Sequence, residues 1–255
     1  MTPRNMKLLI LWLACLTVAG VAAQAPPQPP SADSILKKID ENQVAGSRIT
    51  VYEMTIRGRR GSRTMKAKSW VQGVDRAFTE YLEPAREAGT KMLKLGDQLW
   101  TFSPSTDRTI QIAGHMLRQS VMGSDMSYED MMEDPKLQNL YNATVVGDGT
   151  LLERPCWILE LKAKPGAAPS YDSRKVWVDK ERFLPLKEER YATSGKLLKT
   201  TEIKSVRQYQ QRWVAERAVF VDALKNDGGT DFVVTSVEFD AKIPDHVFSQ
   251  AALRK

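Results

Sequence analysis

The segment Gly89–Asp134, GTKMLKLGDQLWTFSPSTDRTIQIAGHMLRQSVMGSDMSYEDMMED, changes its pattern half-way. Its first half holds short runs of alternating apolar and polar residues around the turn Gly96-Asp97, which is typical of β-strands. Its second half, from His115, is polar, rich in methionine and without a strand pattern. This change of pattern predicts that the strands form a β-sheet and that the second half of the segment covers one face of it.

Alternation with a period of two continues on both sides of this segment and indicates about eleven strands joined by short turns. Strands do not alternate with long helices, so a parallel α/β sheet is not expected. An antiparallel sheet of this size must curl, split or close. The pattern therefore predicts a mainly β fold: a strongly curved antiparallel sheet forming an incomplete, half-open β-barrel, with short helices covering its concave face.

One amphipathic helix is predicted near the N-terminus, in the sequence ADSILKKIDENQ. Ile35, Leu36 and Ile39 recur at helical spacing with polar residues between them. Ser31 or Asp33 is suited to cap the helix. A single apolar stripe means that the helix should lie on another element.

The first residues have the pattern of a secretory signal peptide, residues 1–23. Arg4 and Lys7 precede an apolar run, Leu8–Val21, and small residues allow cleavage near Ala23. The run is short for a membrane span, which needs about 20 apolar residues. Lipidation at Cys15 is the alternative, but the residues before it match a lipoprotein signal poorly.

The rest of the chain is predicted to comprise a proline-rich spacer, residues 24–31, and a single domain, residues 32–255, within the usual size of one β-rich domain. The 37 basic and 31 acidic residues are interleaved, which argues against nucleic acid as a partner. Cys156 would be the one cysteine after cleavage. Its apolar neighbours predict a buried thiol.

Common catalytic and metal-binding patterns do not occur in the sequence. His115 and His246 are the two histidines, and neither belongs to a zinc motif. No nucleophile elbow, P-loop or dinucleotide fingerprint occurs. Glu188 and Glu189 would point to opposite faces of a strand, which predicts a half-solvated edge. The acidic loop around Asp125 lacks the glycine-punctuated spacing of a calcium loop. We therefore predict a protein that is not an enzyme and has no cofactor or metal.

Several short motifs occur in a fixed order over nearly the whole chain after the signal. They are QLWTFSP (98–104), SVMGSDMSYED (120–130), WVD (177–179), FLPLK (183–187), GKLLK (195–199) and IPDHVF (243–248). Together they resemble the periplasmic family of outer-membrane lipoprotein-sorting proteins, a branch of the LolA-like superfamily. The most specific positions are Met122, Gly123, Ser124, Asp125, Ser127, Tyr128, Glu129 and Asp130.

This resemblance implies a half-open barrel whose apolar cavity takes up acyl chains of lipids or lipoproteins for transport to the outer membrane. It also implies a periplasmic location, an inner-membrane exporter and an outer-membrane acceptor as partners. The alternative is an accessory subunit that docks on an RND- or ABC-type lipid exporter and carries no cargo. The choice between lipoprotein and free lipid stays open, because the cargo-release residues of classical carriers have no clear match here.

The candidate lipid-binding residues come from the strands and from the cover. The strand candidates are expected to divide about equally between the concave face and convex packing. They are Tyr52, Met54, Ile56, Trp70, Phe78, Trp100, Phe102 and Trp177. The cover candidates are Met116, Met122 and Met126, since methionine repacks readily around varied chains. Arg57, Arg59, Arg60 and Arg63 crowd one hairpin tip, either as a solvated turn or as a contact for anionic headgroups.

Overall fold

A computed structural model describes residues 30–44, 46–59, 61–225 and 228–255. The predicted signal peptide and residues 24–29 of the predicted spacer lie outside these ranges. Within the described part of the chain, no helix is long and apolar enough to cross a membrane.

The chain is dominated by strands, and its helices are short. The helices are α1 (Ala32–Gln43), α2 (Tyr128–Met132) and α3 (Leu137–Leu140), and single 3-10 segments span Gly114–Arg118, Val121–Gly123, Asp245–Phe248 and Gln250–Arg254. The strands are β1 (Ser47–Gly58), β2 (Gly61–Gln72), β3 (Arg76–Glu83), β4 (Lys91–Leu95), β5 (Gln98–Ser103), β6 (Arg108–Ile112), β7 (Tyr141–Leu151), β8 (Arg154–Ala163), β9 (Ser173–Asp179), β10 (Pro185–Tyr191), β11 (Leu197–Tyr209), β12 (Arg212–Asp222) and β13 (Thr230–Phe239).

The thirteen strands of the described residues form one open antiparallel sheet, which confirms the predicted fold class. The count exceeds the predicted number of about eleven. The order across the sheet is β6-β5-β4-β3-β2-β1-β13-β12-β11-β10-β9-β8-β7.

The strand order explains why a cover crosses the concave face. β6 and β7 are consecutive in the chain but lie at opposite edges of the sheet. The residues between them must therefore travel from one edge to the other. This connection contains α2, α3 and two of the 3-10 segments. We call its methionine-rich part, residues 115–134, the cover segment.

Helix α1 forms the second cover, over β7–β9. Ser31 caps its first turn by accepting a hydrogen bond from the Ser34 amide at 3.2 Å. Ile35, Leu36 and Ile39 are buried. They pack in one cluster with residues of the sheet and α3: Leu137, Tyr141, Trp157, Leu159, Leu161, Val176 and Val178. The predicted amphipathic helix is confirmed.

The opposite face of β3–β5 is also apolar, and the C-terminal end of the chain covers it. Phe248 and Leu253 are buried there in a cluster with Phe78, Leu93 and Trp100. Cys156 is a free, buried cysteine, as predicted, and burial raises the pKa of its thiol.

Candidate functional site

A cavity of about 520 Å³ opens on the concave face, beside the C-terminal end of α1. Its volume falls within the range of about 300–1,000 Å³ that is usual for ligand pockets. Most of its wall is apolar and comes from β1, β2 and β10–β13. The apolar lining residues are Tyr52, Val71, Pro135, Leu184, Pro185, Leu186, Ile203, Trp213, Val214, Ala215, Phe220, Phe232, Val234, Val237 and Phe239.

A smaller cavity of about 340 Å³ adjoins the first, and seven residues line both: Gln43, Arg48, Val71, Pro135, Pro185, Glu188 and Arg190. Its wall carries many ionisable groups: Arg48, Arg76, Lys94, Asp130, Glu133, Asp134, Arg174, Glu188 and Arg190. The concave face therefore offers an apolar chamber next to a charged one.

Asp130 of the cover segment is the centre of a buried polar network. It accepts from Lys199, and from the Tyr171 hydroxyl at 2.5 Å, and pairs with Arg190 at 3.4 Å. Burial alone would raise the pKa of Asp130, but Lys199 and Arg190 outweigh it and lower this pKa to about 2. The carboxylate is therefore ionised throughout the physiological range.

Arg174 extends this network towards the end of the cover segment. Its side chain is 3% exposed and pairs with Glu133 and, at 2.7 Å, with Glu188. Glu188 also accepts from Arg190 at 2.8 Å. Burial opposes ionisation of Glu188, yet Arg190 and Arg174 lower its pKa to about 2. The earlier prediction that Glu188 lies on a half-solvated edge is wrong, because β10 turns this side chain into the covered face.

A second set of contacts holds the middle of the cover segment to the hairpin β12–β13. Asp125 accepts from the Thr230 hydroxyl at 2.6 Å and from the Asp222 amide at 3.0 Å. Lys225 donates to the Ser124 carbonyl oxygen at 2.5 Å and to Ser120 at 2.8 Å. Asp125 thus has a structural role that its sequence context did not reveal.

The SYED part of the motif builds its own helix start. Ser127 accepts from the Asp130 amide at 3.3 Å, while the Asp130 carboxylate accepts from the Ser127 amide at 2.7 Å. This reciprocal capping box begins α2 and aims Asp130 at the strands. Upstream, Gly123 has φ of +75°, a conformation that favours glycine, and Arg63 donates to the neighbouring Met122 carbonyl oxygen.

A family model with the description "Uncharacterized protein" matches residues 73–255. The chain belongs to this family. A search of curated proteins finds no match.

Solved structures give the fold a wider context. A DUF1329 family protein from Desulfovibrio piger superimposes with a TM-score of 0.81 and 21% identity, covering 89% of this chain and 100% of that chain. An outer membrane lipoprotein-sorting protein domain from Vibrio parahaemolyticus gives 0.73 and 22%, covering 88% and 98%. A LolA superfamily protein from Nitrosomonas europaea gives 0.70 and 23%, covering 88% and 99%. The fold is therefore LolA-like.

Within this LolA-like fold, several predicted lipid-binding residues do lie on the concave face. Tyr52 lines the larger cavity. Met54 and Ile56 are buried beside it in a cluster against which Met116 and Met122 pack from the cover segment. Met126 lies, half-buried, in the loop between Asp125 and the capping box. Whether these residues bind lipid remains a prediction.

Other predicted residues lie away from the cavity. Trp70, Phe78, Trp100 and Phe102 pack in the cluster that contains Phe248 and Leu253, on the opposite face. Trp177 stacks against the ammonium groups of Lys175 and Lys187, at 5.4 and 4.5 Å from its ring centre. The physical reason is alternation: in β3–β5 both faces are apolar, and the concave positions belong to residues such as Tyr81, Met92 and Leu99.

The basic cluster at the β1–β2 turn is partly engaged within the chain. Arg57 pairs with Asp231, which also pairs with Arg217 at 3.0 Å. Arg63 binds the cover segment, and Arg59 also has a partner. Arg60 lies outside the described residues. Contact with anionic headgroups therefore stays a prediction for this turn.

Most of the cavity wall was not identified from the sequence. Leu186, Ile203, Phe220 and Phe232 lie on strands whose alternation marks an apolar face but does not say what that face contacts. The charged network was missed as well. Its signal was the presence of Glu188 and Arg190 two residues apart on one strand, which places both side chains on the same face.

Among the described residues, no group of three His, Cys, Asp or Glu side chains is arranged to hold a metal ion.

Proposed function

We propose that this protein is a non-enzymatic periplasmic carrier that holds an acyl chain of a lipid or lipoprotein in the larger cavity during transport to the outer membrane. The observation that carries this proposal is the apolar, 520 Å³ chamber on the concave face of an open sheet. Each methylene that moves from water into such a chamber contributes about 0.8 kcal/mol.

The arrangement of the covers supports a carrier. A long acyl chain must enter and leave, so at least one wall has to move. Several half-buried methionines of the cover segment, Met116, Met122, Met131 and Met132, pack against the concave cluster. Unbranched, polarisable side chains of this kind adapt to ligands of different shape.

The proposal includes export by the predicted signal peptide and two protein partners. These are an inner-membrane exporter that delivers cargo and an outer-membrane acceptor that receives it. The LolA-like fold supports this assignment, and the Vibrio parahaemolyticus neighbour is itself described as a lipoprotein-sorting protein domain.

The test is mass spectrometry of lipids extracted from protein purified after export. We expect acyl-containing lipids in the wild type. Ala215→Trp should reduce the retained lipid at least about tenfold, because Ala215 lines the cavity and an indole ring there would fill it.

The matched control is Ala251→Trp, which adds the same ring at an exposed position in the C-terminal 3-10 segment. This variant should retain lipid like the wild type. An absence of lipid from every preparation would overturn the proposed carrier function. It would favour the alternative, an accessory subunit that docks on an exporter and carries no cargo.

A further inference from the structure

Arg48 is a basic group on the cavity wall that none of the contacts above accounts for. It lies at the start of β1, paired with Val71 of β2 on one side and Phe239 of β13 on the other. Both neighbours are apolar, and all three residues line the larger cavity. Arg48 also lines the smaller cavity, so it lies at the junction of the two chambers.

Arg48 has no acidic partner among the residues that the structure describes, and burial lowers the pKa of its guanidinium. The other charged side chains that line the larger cavity are paired. Arg174, Arg190 and Lys199 are matched by Asp130, Glu133 and Glu188 in one connected network. Lys187 pairs with Glu189 at 2.8 Å. Arg48 therefore remains as an uncompensated positive charge beside an apolar chamber.

Holding a cation largely out of water without a counter-ion costs free energy. An anion bound next to the cation offsets that cost. A guanidinium offers a planar fork of donors that matches carboxylate and phosphate groups. A buried polar group lies on the same wall, since the Thr201 hydroxyl oxygen has no hydrogen-bond partner among the described residues.

We propose that Arg48 binds the anionic head of the ligand, a carboxylate or phosphate, while the acyl chain occupies the larger cavity. This inference rests on the proposed carrier function and adds a ligand class to it. The cargo is an acidic amphiphile with a free anionic group next to its chain. An acyl chain held in an ester or amide, as on a lipoprotein, has no charge at that position and offers Arg48 only a carbonyl acceptor, a weaker contact than an ion pair.

The test compares three probes with the same sixteen-carbon chain: hexadecanoate, hexadecyl phosphate and hexadecanol. Their affinities for the delipidated full-length mature protein are measured by displacement of a fluorescent fatty-acid analogue. We expect at least one anionic probe to bind about tenfold to a hundredfold more tightly than hexadecanol, which is the range of a charge-assisted hydrogen bond. The stronger of the two anionic probes identifies carboxylate or phosphate as the head group.

Arg48→Met should abolish this preference, and a circular dichroism spectrum like that of the wild type shows that the variant is folded. Arg48→Lys should keep a reduced preference, because it retains the charge and loses the fork. Arg254→Met, which removes an exposed arginine at the C-terminus, should behave like the wild type.

The two proposals fail in different ways. Equal binding of all three probes by the wild type, or an unchanged preference in Arg48→Met, would overturn the proposed role of Arg48. Either result would leave the proposed carrier function standing. Failure of the wild type to bind any probe would overturn both.

Discussion

The two covers of the concave face differ in how they are attached. Helix α1 buries three apolar side chains, Ile35, Leu36 and Ile39, each at most 1% exposed. The cover segment buries one apolar side chain, Val121, together with the polar residues Ser124, Asp125 and Ser127. Its remaining contacts combine half-buried apolar side chains that pack against the concave cluster with hydrogen bonds and ion pairs, which reach β9–β13, Arg63 of β2 and Lys94 of β4.

This difference has a consequence for movement. Apolar burial is lost as a whole when an element detaches, whereas hydrogen bonds to charged groups are exchanged for water at a net cost of about 1.5–3 kcal/mol each. We therefore infer that α1 is the fixed cover and that the cover segment is the one that opens to admit cargo. The following predictions test this contrast.

The largest effect is expected from Ile39→Ala in α1. Loss of a fully buried isoleucine side chain should lower the free energy of unfolding by about 2–5 kcal/mol, measured by urea denaturation. Lys38→Ala, on the solvent side of the same helix, should change it by less than about 0.5 kcal/mol. Similar values for both variants would show that α1 is not an apolar anchor.

The next effect is local and concerns Asp130→Asn. Removal of the charge leaves Lys199 without its anion and Arg190 with Glu188 alone, and should destabilise the closed cover segment by about 3 kcal/mol. Amide hydrogen exchange in residues 121–132 should accelerate about a hundredfold, with no change in α1.

Asp33→Asn, an exposed carboxylate in the first turn of α1, serves as the control for that charge removal. It should leave exchange in the cover segment unchanged. If Asp130→Asn accelerated exchange in both covers equally, the two would form one unit and the contrast would not hold.

A smaller effect is expected from Thr230→Val, which keeps the shape of a buried side chain and removes its hydroxyl. Asp125 would lose both a donor at 2.6 Å and an acceptor at 3.0 Å. We expect the closed cover segment to lose about 1–2 kcal/mol, seen as changes in methionine methyl NMR signals. Thr235→Val, at an exposed site on the same strand, should alter these signals little.

The smallest effect is the response to pH, which should have opposite signs in the two covers. The pKa of Asp130 is lowered to about 2. Its contribution to the stability of the closed cover segment is therefore complete above the ordinary pKa of an aspartate and is lost as the pH falls towards 2. From pH 5 to pH 3 the cover segment should lose about 1 kcal/mol from Asp130.

Asp40 in α1 behaves in the reverse manner. Burial raises its pKa, although it accepts from the Leu137 and Gln138 amides at 3.1 Å. Because this pKa is higher in the folded protein than in the unfolded chain, the folded protein takes up the proton at a higher pH. Lowering the pH below the raised pKa should therefore strengthen the attachment of α1. Amide protection in α1 and methyl signals of the cover segment, followed together from pH 7 to pH 3, measure both trends. Parallel weakening of the two covers would contradict the assignment.

Sequence patterns predicted the sheet, the amphipathic helix and the presence of a cover because these features depend on neighbours in the chain. The cavity wall was harder to predict. β5 offers Trp100 on one face and Leu99 on the other, and both are apolar. Local alternation separates the two faces but does not tell which of them lies under the cover.

By itself, the sequence determined the antiparallel β fold, the apolar stripe of α1 and the capping box at Ser127, since each depends on residues within a few positions of one another. Tertiary structure alone decided that Asp130 meets Lys199 and Arg190, and that Arg48 meets no carboxylate of the described residues at the cavity junction. Those contacts join residues of distant strands. They depend on strand order and register, which place β6 and β7 at opposite edges and draw the connecting segment across the concave face.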